Sequence, residues 1–195
     1  MTTVTLSTLI GYMLVCSFTP GPGNILALNA TSTYGWQRSR RMILGICAGY
    51  AAVQALCTLA LYTLGQTFAT LLAVLPYFGG VYMVWLAVQI IRSRPSAEAG
   101  GKRPSFRRGF LLQLVNVKIY FYIMSLLSVY FLPAFPHAPG LILAGAVAVS
   151  IGSAASVVWA FAGVKLQRVY GRYYRAINGA LGLFLLYCAW TIVRS

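Results

Sequence analysis

Residues 5–31, TLSTLIGYMLVCSFTPGPGNILALNAT, form an apolar run long enough to cross a bilayer, but two prolines and two glycines interrupt it. About 20 apolar residues cross a hydrocarbon core of about 30 Å. Lipid offers backbone groups no hydrogen-bond partners, so a spanning segment is normally an unbroken helix. The run therefore predicts a membrane helix that is broken near its middle.

Five further apolar runs follow, at residues 42–64, 68–91, 109–132, 140–163 and 176–193. The chain is 59% hydrophobic and 8% charged, whereas soluble domains carry about 25% charged residues. The runs do not alternate apolar and polar residues, as barrel strands do. The sequence predicts an all-α membrane protein with six transmembrane helices in a single domain, residues 1–195.

The net charge of +14 comes mostly from three short connectors. Cytoplasmic loops collect Lys and Arg, so these connectors are expected in the cytoplasm, against anionic lipid, with both termini outside. No nucleic-acid partner is expected. The thirteen cations of the three connectors are Arg38, Arg40, Arg41, Arg92, Arg94, Lys102, Arg103, Arg107, Arg108, Lys165, Arg168, Arg172 and Arg175.

A linker at residues 93–105, rich in Pro, Gly and Ser, divides the chain into halves of about 1–92 and 106–195. Each half has three predicted spans, and because three is odd the halves enter the membrane in opposite directions. Two inverted three-helix halves are found in many secondary transporters, whose sites lie at the midplane where helices are interrupted. We therefore expect an interruption from each half to contribute to one site.

The first interruption frees backbone groups inside the first span. Proline suits the first turn of a restarting helix, and the bare N–H groups of such a helix end can hold a carboxylate. The alternative is a proline kink that neighbouring helices satisfy. The candidate substrate-binding residues here are Thr19, Pro20, Gly21, Pro22, Gly23 and Asn24.

The second interruption contains Gln113, Asn116 and Lys118, in the fourth span. Lys118 lies about 13 Å along a helix from Gly109, too deep for easy snorkelling. A lysine at such depth costs about 2.5–3.5 kcal/mol and needs a polar partner. The only acid, Glu98, is in the linker, so Lys118 must be neutral, hydrated, held by carbonyls and amides, or paired with a bound anion. We expect it to handle substrate or protons.

Little in the sequence supports catalysis, a metal or a cofactor. Acid–base and metal chemistry need carboxylates or clustered histidines, and the spans offer neither. The four cysteines lie in apolar runs without CxxC spacing, and His137 stands alone in a loop. The alternatives to a transporter are a structural or assembly protein and a membrane-embedded enzyme. Whether protomers pair as a homodimer is left open.

The chain resembles the LysE/RhtB family of bacterial amino-acid exporters over its whole length. The resemblance rests on TPGP at residues 19–22, on Gly35, Gly45 and Gly49, and on the Asn-x-Lys of Asn116 and Lys118. The segment QLVNVK at residues 113–118 is similar to the branch that exports cysteine and O-acetylserine. What the resemblance implies is proton-driven export of small amino acids, cysteine/O-acetylserine-like or threonine/homoserine-like, across the bacterial inner membrane.

Two positions depart from the family. Many members carry an acidic residue after TPGP, where this chain has Gly23, and many have Asn-Pro-Lys, where this chain has Val117. With no acid in the spans to balance a second positive charge, we expect neutral, zwitterionic substrates to be preferred over basic ones.

Overall fold

The structure, a computed structural model, describes residues 3–64, 75–92, 104–135 and 137–194. These residues form seven α-helices and one π-helical segment, and no strand is present among them. The elements are α1 (Thr3–Phe18), α2 (Pro22–Leu64), α3 (Leu75–Ile91), α4 (Phe106–Leu114), α5 (Val117–Ser125), the π segment (Leu126–Phe131), α6 (Leu132–Ala134) and α7 (Ala138–Arg194). The predicted all-helical class is confirmed.

Within the described ranges, three helical stretches are long and apolar enough to cross a membrane: Pro22–Leu61, Val117–Ala134 and Ala138–Gln167. Leu6–Phe18 and Gly80–Ile91 are shorter apolar helices. Of the predicted third span, only the part from Leu75 onward lies within the described residues, and most of the linker lies outside them. The chain is a multi-pass membrane protein.

The 43-residue helix α2 turns back on itself at Gly35. Gly35 has φ 74° and ψ 170°, a conformation that glycine adopts without steric cost. The Ser39 hydroxyl donates to the Ala30 carbonyl over 2.8 Å, although nine residues of straight helix would separate them by about 13.5 Å. The first two predicted spans are therefore joined by a sharp helical corner rather than by a loop.

The 57-residue helix α7 has a similar corner at Tyr173, whose φ of −118° and ψ of 18° are not helical. A straight helix of this length would extend about 85 Å, far beyond the thickness of a bilayer core. Tyr170 precedes the corner and Asn178 follows it, and the Tyr170 hydroxyl donates to Asn178 Oδ1 over 2.9 Å. The predicted fifth and sixth spans thus lie in one continuous element.

Two helix breaks lie where the sequence places interruptions. Between α1 and α2, residues 19–21 are not helical, and Pro22 opens the new helix as predicted. The predicted fourth span, 109–132, is not one helix. Helix α4 begins earlier than predicted, at Phe106, and the chain is not helical at Val115 and Asn116, between α4 and α5. A π-helical segment follows, which adds a second irregularity to this span.

Glycines allow α2 and α4 to cross at very short range. A Cβ added at Gly45 would lie 2.1 Å from the Phe106 carbonyl oxygen, and one at Gly109 would lie 2.2 Å from that of Met42. Small residues permit such contact between helix backbones in lipid. Gly45 and Gly109 therefore allow the close packing of α2 and α4, and the crossing fixes the position of the second break relative to the first.

Candidate functional site

The two breaks meet through Lys118, the second residue of α5. Its Nζ donates to the carbonyl oxygen of Thr19 over 2.8 Å and to that of Pro20 over 3.4 Å. The last carbonyls of a helix have no partners within the helix, and they form the negative end of its dipole. The end of α1 therefore supplies the polar partner that a deep lysine needs, although no acid lies among the described residues.

Other side chains satisfy the remaining carbonyls at this helix end. Asn24 donates from Nδ2 to Ser17 over 2.8 Å and to Thr19 over 3.2 Å. Asn24 Oδ1 in turn accepts from the Ser156 hydroxyl at 3.1 Å. The indole of Trp159 donates to the Phe18 carbonyl over 3.1 Å. The break is thus built by residues of α2, α5 and α7 together.

Glycine at two positions of the first break leaves room for side chains of the second break. A Cβ at Gly21 would lie 2.8 Å from Lys118 Cδ. A Cβ at Gly23 would lie 3.1 Å from Gln113 Oε1. The absence of side chains lets Lys118 and Gln113 approach the backbone of the break.

Gln113 and Asn116 pair with each other beside the first break. Asn116 Nδ2 donates to Gln113 Oε1 over 2.8 Å, and both residues are almost fully buried, with 3% and 1% of their surfaces exposed. Asn116 Oδ1 is buried and accepts no hydrogen bond from the described residues. It is therefore an acceptor without a partner among the described residues.

A small cavity of about 30 Å³ lies between the breaks. That volume has room for about two water molecules, whereas pockets that hold drug-sized ligands measure about 300–1,000 Å³. The space between the breaks is therefore too small for an amino acid in this structure. The cavity is lined by Asn24, Tyr50, Gln113, Asn116, Lys118 and Ser156, among others.

All nine sequence-predicted residues lie at or beside the two breaks, and their role in substrate binding stays a prediction. In this structure the Lys118 ammonium contacts the carbonyls that precede Gly21. Of the four alternatives for Lys118, the structure corresponds to the one in which carbonyls hold it.

Sequence reasoning missed a second buried polar cluster, between α2 and the corner of α7. Asn29 Nδ2 donates to Asn178 Oδ1 over 3.1 Å, and the Thr33 hydroxyl donates to that of Tyr170 over 3.1 Å. Tyr170 also donates to Asn178, which is fully buried. The asparagines inside apolar runs were a usable signal, because polar side chains in membrane helices pair across them.

A lysine that bridges two interrupted helices in a membrane protein fits the sites of secondary transporters, which form where helices are broken. Residues 14–195 match the LysE type translocator family, and the chain belongs to that family. It is a transporter and not an enzyme.

Relatives match over almost the whole chain. A cysteine/O-acetylserine efflux protein of Klebsiella pneumoniae is 34% identical over 194 residues, which cover 99% of each chain. The protein of the same name from Escherichia coli K12 is 37% identical over 191 residues, 97% of each chain. A Shigella flexneri protein of that name has the same identity and coverage. No solved structure matches the chain significantly.

Proposed function

We propose that this protein exports small neutral amino acids or their derivatives from the cytoplasm across the bacterial inner membrane, driven by the proton gradient. The observation that carries the proposal is the meeting of the two breaks, where a helix ends in carbonyls beside the start of the next helix. The names of its relatives, cysteine/O-acetylserine efflux proteins, support a substrate of that kind.

A broken helix offers both kinds of partner that a zwitterion needs. The carbonyls of Thr19 and Pro20 suit an ammonium group, because they lie at the negative end of α1. The N–H groups at the start of α2, next to Gly21 and Gly23, suit a carboxylate. The unpartnered Asn116 Oδ1 and the buried hydroxyl of Tyr50, which makes no hydrogen bond to the described residues, add further polar contacts.

Charge sets the selectivity of this site. Glu98, the only acid of the sequence, belongs to the linker outside the described residues. A lysine or arginine substrate would bring a second positive charge beside Lys118 with no carboxylate to balance it. Neutral substrates such as cysteine, O-acetylserine, threonine or homoserine avoid that cost.

Six spans in two inverted halves, with both termini periplasmic, complete the proposal. The corners at Gly35 and Tyr173 support it, because each reverses the chain beside a cluster of cations. Positive charge marks the cytoplasmic side. The exposed cations next to the two corners include Arg38, Arg40, Arg41, Lys165, Arg172 and Arg175.

The test is transport by purified protein in liposomes with an imposed pH gradient. Labelled cysteine, O-acetylserine, threonine and lysine are compared at equal concentration, and we expect the neutral compounds to move faster than lysine. Protein-free liposomes are the control. No transport of any amino acid would favour a structural role, and preferred transport of lysine would contradict the charge argument.

A further inference from the structure

We propose that Lys118 is a tethered substitute for the substrate's ammonium group, which occupies the carbonyls of Thr19 and Pro20 when the carrier is empty. This inference rests on the proposed function and adds a role for Lys118 in the return of the empty carrier. The substrate's ammonium displaces Lys118 on binding, and Lys118 comes back when the substrate leaves.

The first argument is geometric. Lys118 Nζ lies 2.8 Å and 3.4 Å from the two carbonyl oxygens, which is where the ammonium of a bound amino acid would donate. The side chain passes over Gly21, where a Cβ would lie 3.1 Å from Nζ. The side chain of Asn24 also donates to the Thr19 carbonyl, so this oxygen accepts two hydrogen bonds in this structure.

The second argument is volume. A cavity of about 30 Å³ cannot admit an amino acid beside Lys118 in its present position. Lys118 is an unbranched side chain in contact with backbone oxygens, so it can leave by rotation about its own bonds. Its departure frees both the carbonyls and the space that its ammonium occupies. Substrate binding and the release of Lys118 from the carbonyls therefore occur together.

The third argument is charge. No Asp or Glu occurs among the described residues, so no carboxylate there competes with the carbonyls at the negative end of α1 for an ammonium group. With substrate bound, the substrate's ammonium occupies these carbonyls. With the site empty, Lys118 occupies them. A carrier without Lys118 would have to reorient while empty with the Pro20 carbonyl lacking this donor and the Thr19 carbonyl held by Asn24, and the loss of a hydrogen bond to a charged donor is unfavourable.

The proposal separates two kinds of transport. Net efflux requires the empty carrier to return across the membrane, whereas exchange of internal for external substrate uses only loaded carriers. Loss of Lys118 should therefore slow net efflux and leave exchange running. The displaced ammonium of Lys118 can face the substrate's carboxylate, but exchange does not depend on that contact.

The test compares wild type with Lys118→Met and Lys118→Gln in liposomes loaded with labelled O-acetylserine or threonine. Net efflux is measured into substrate-free buffer, and exchange is measured into buffer that contains unlabelled substrate. Lys165→Met is the matched control, because Lys165 is an exposed lysine of α7 that does not line the cavity between the breaks. Wild type and this control should show both activities.

We expect net efflux by the Lys118 variants to fall by about tenfold to a hundredfold, the range set by the loss of a hydrogen bond to a charged group. Exchange should stay within about threefold of wild type, which corresponds to less than half of the free-energy change of a tenfold difference. Equal loss of both activities would overturn the proposal and assign Lys118 to carboxylate binding. Full net efflux without Lys118 would also overturn it. Failure of the proposed function is a different result, in which wild type itself moves no substrate.

Discussion

Gly45→Ala tests the close crossing on which the site depends. The new methyl group would lie 2.1 Å from the Phe106 carbonyl oxygen, whereas carbon–oxygen contacts between helices are about 3.3–3.6 Å. The helices must therefore separate by about 1.2–1.5 Å, since backbone cannot rotate away as a side chain can. Overpacking of this kind costs about 1–3 kcal/mol, and a clash with backbone belongs at the upper end.

Thermal unfolding of purified protein in detergent measures this cost. In a chain of this size, 1 kcal/mol lowers the midpoint by about 2–4 °C, so we expect a fall of about 6–12 °C for a cost near the upper end. Efflux should fall as well, because α4 carries Gln113 towards Gly23 and Asn116 follows directly. The displacement acts on both stability and the site.

Gly179→Ala is the matched control for this prediction. Gly179 also lies in a helix, but a Cβ there would have no neighbour within 4 Å. Alanine is a better helix former than glycine by about 1 kcal/mol, so the unfolding midpoint of the Gly179→Ala variant should stay the same or rise. If Gly45→Ala unfolds at the same temperature as Gly179→Ala, the crossing is not as tight as the structure indicates.

Three further predictions address other parts of the molecule. Asn178→Leu removes the acceptor of Tyr170 and Asn29, so it should lower the free energy of unfolding by about 1–3 kcal/mol and lower the unfolding midpoint. An unchanged midpoint would show that the cluster does not stabilise the fold. Asn24→Ala removes the donor to the end of α1 and should lower efflux by about tenfold or more, so wild-type rates would exclude that role. A cysteine that replaces Ser195 should react with an impermeant maleimide from the periplasmic side, and reaction only in inverted vesicles would reverse the topology.

The helix breaks could be predicted because their causes are local. Proline removes a backbone donor and clashes with the preceding turn, so the end of α1 and the start of α2 at Pro22 follow from a few adjacent residues. A lysine and two amides in an apolar run likewise mark a polar site at whatever depth they fall. The breaks could therefore be predicted from the sequence, and the nine candidate residues lie at or beside them, while their binding of substrate stays a prediction.

The partners at those breaks could not be predicted, because they depend on three-dimensional packing. Lys118 and Thr19 are 99 residues apart, and sequence does not tell whether an ammonium meets the carbonyls of one helix or the N–H side of the next. Asn29 and Asn178 are 149 residues apart. The helical corner at Gly35 was missed for a different reason, since a single glycine between polar residues is equally compatible with an ordinary loop.

If Lys118 leaves the end of α1 during transport, as proposed, its charge moves in the membrane field and the carrier becomes sensitive to membrane voltage. The energy of an elementary charge that crosses the whole membrane changes by about 2.3 kcal/mol at a potential of 100 mV. A shorter movement changes the energy in proportion, so the population of the released state shifts by less than the roughly fiftyfold of a full crossing. A zwitterion carries no net charge, so this electrical term belongs to the protein and is the same for every neutral substrate.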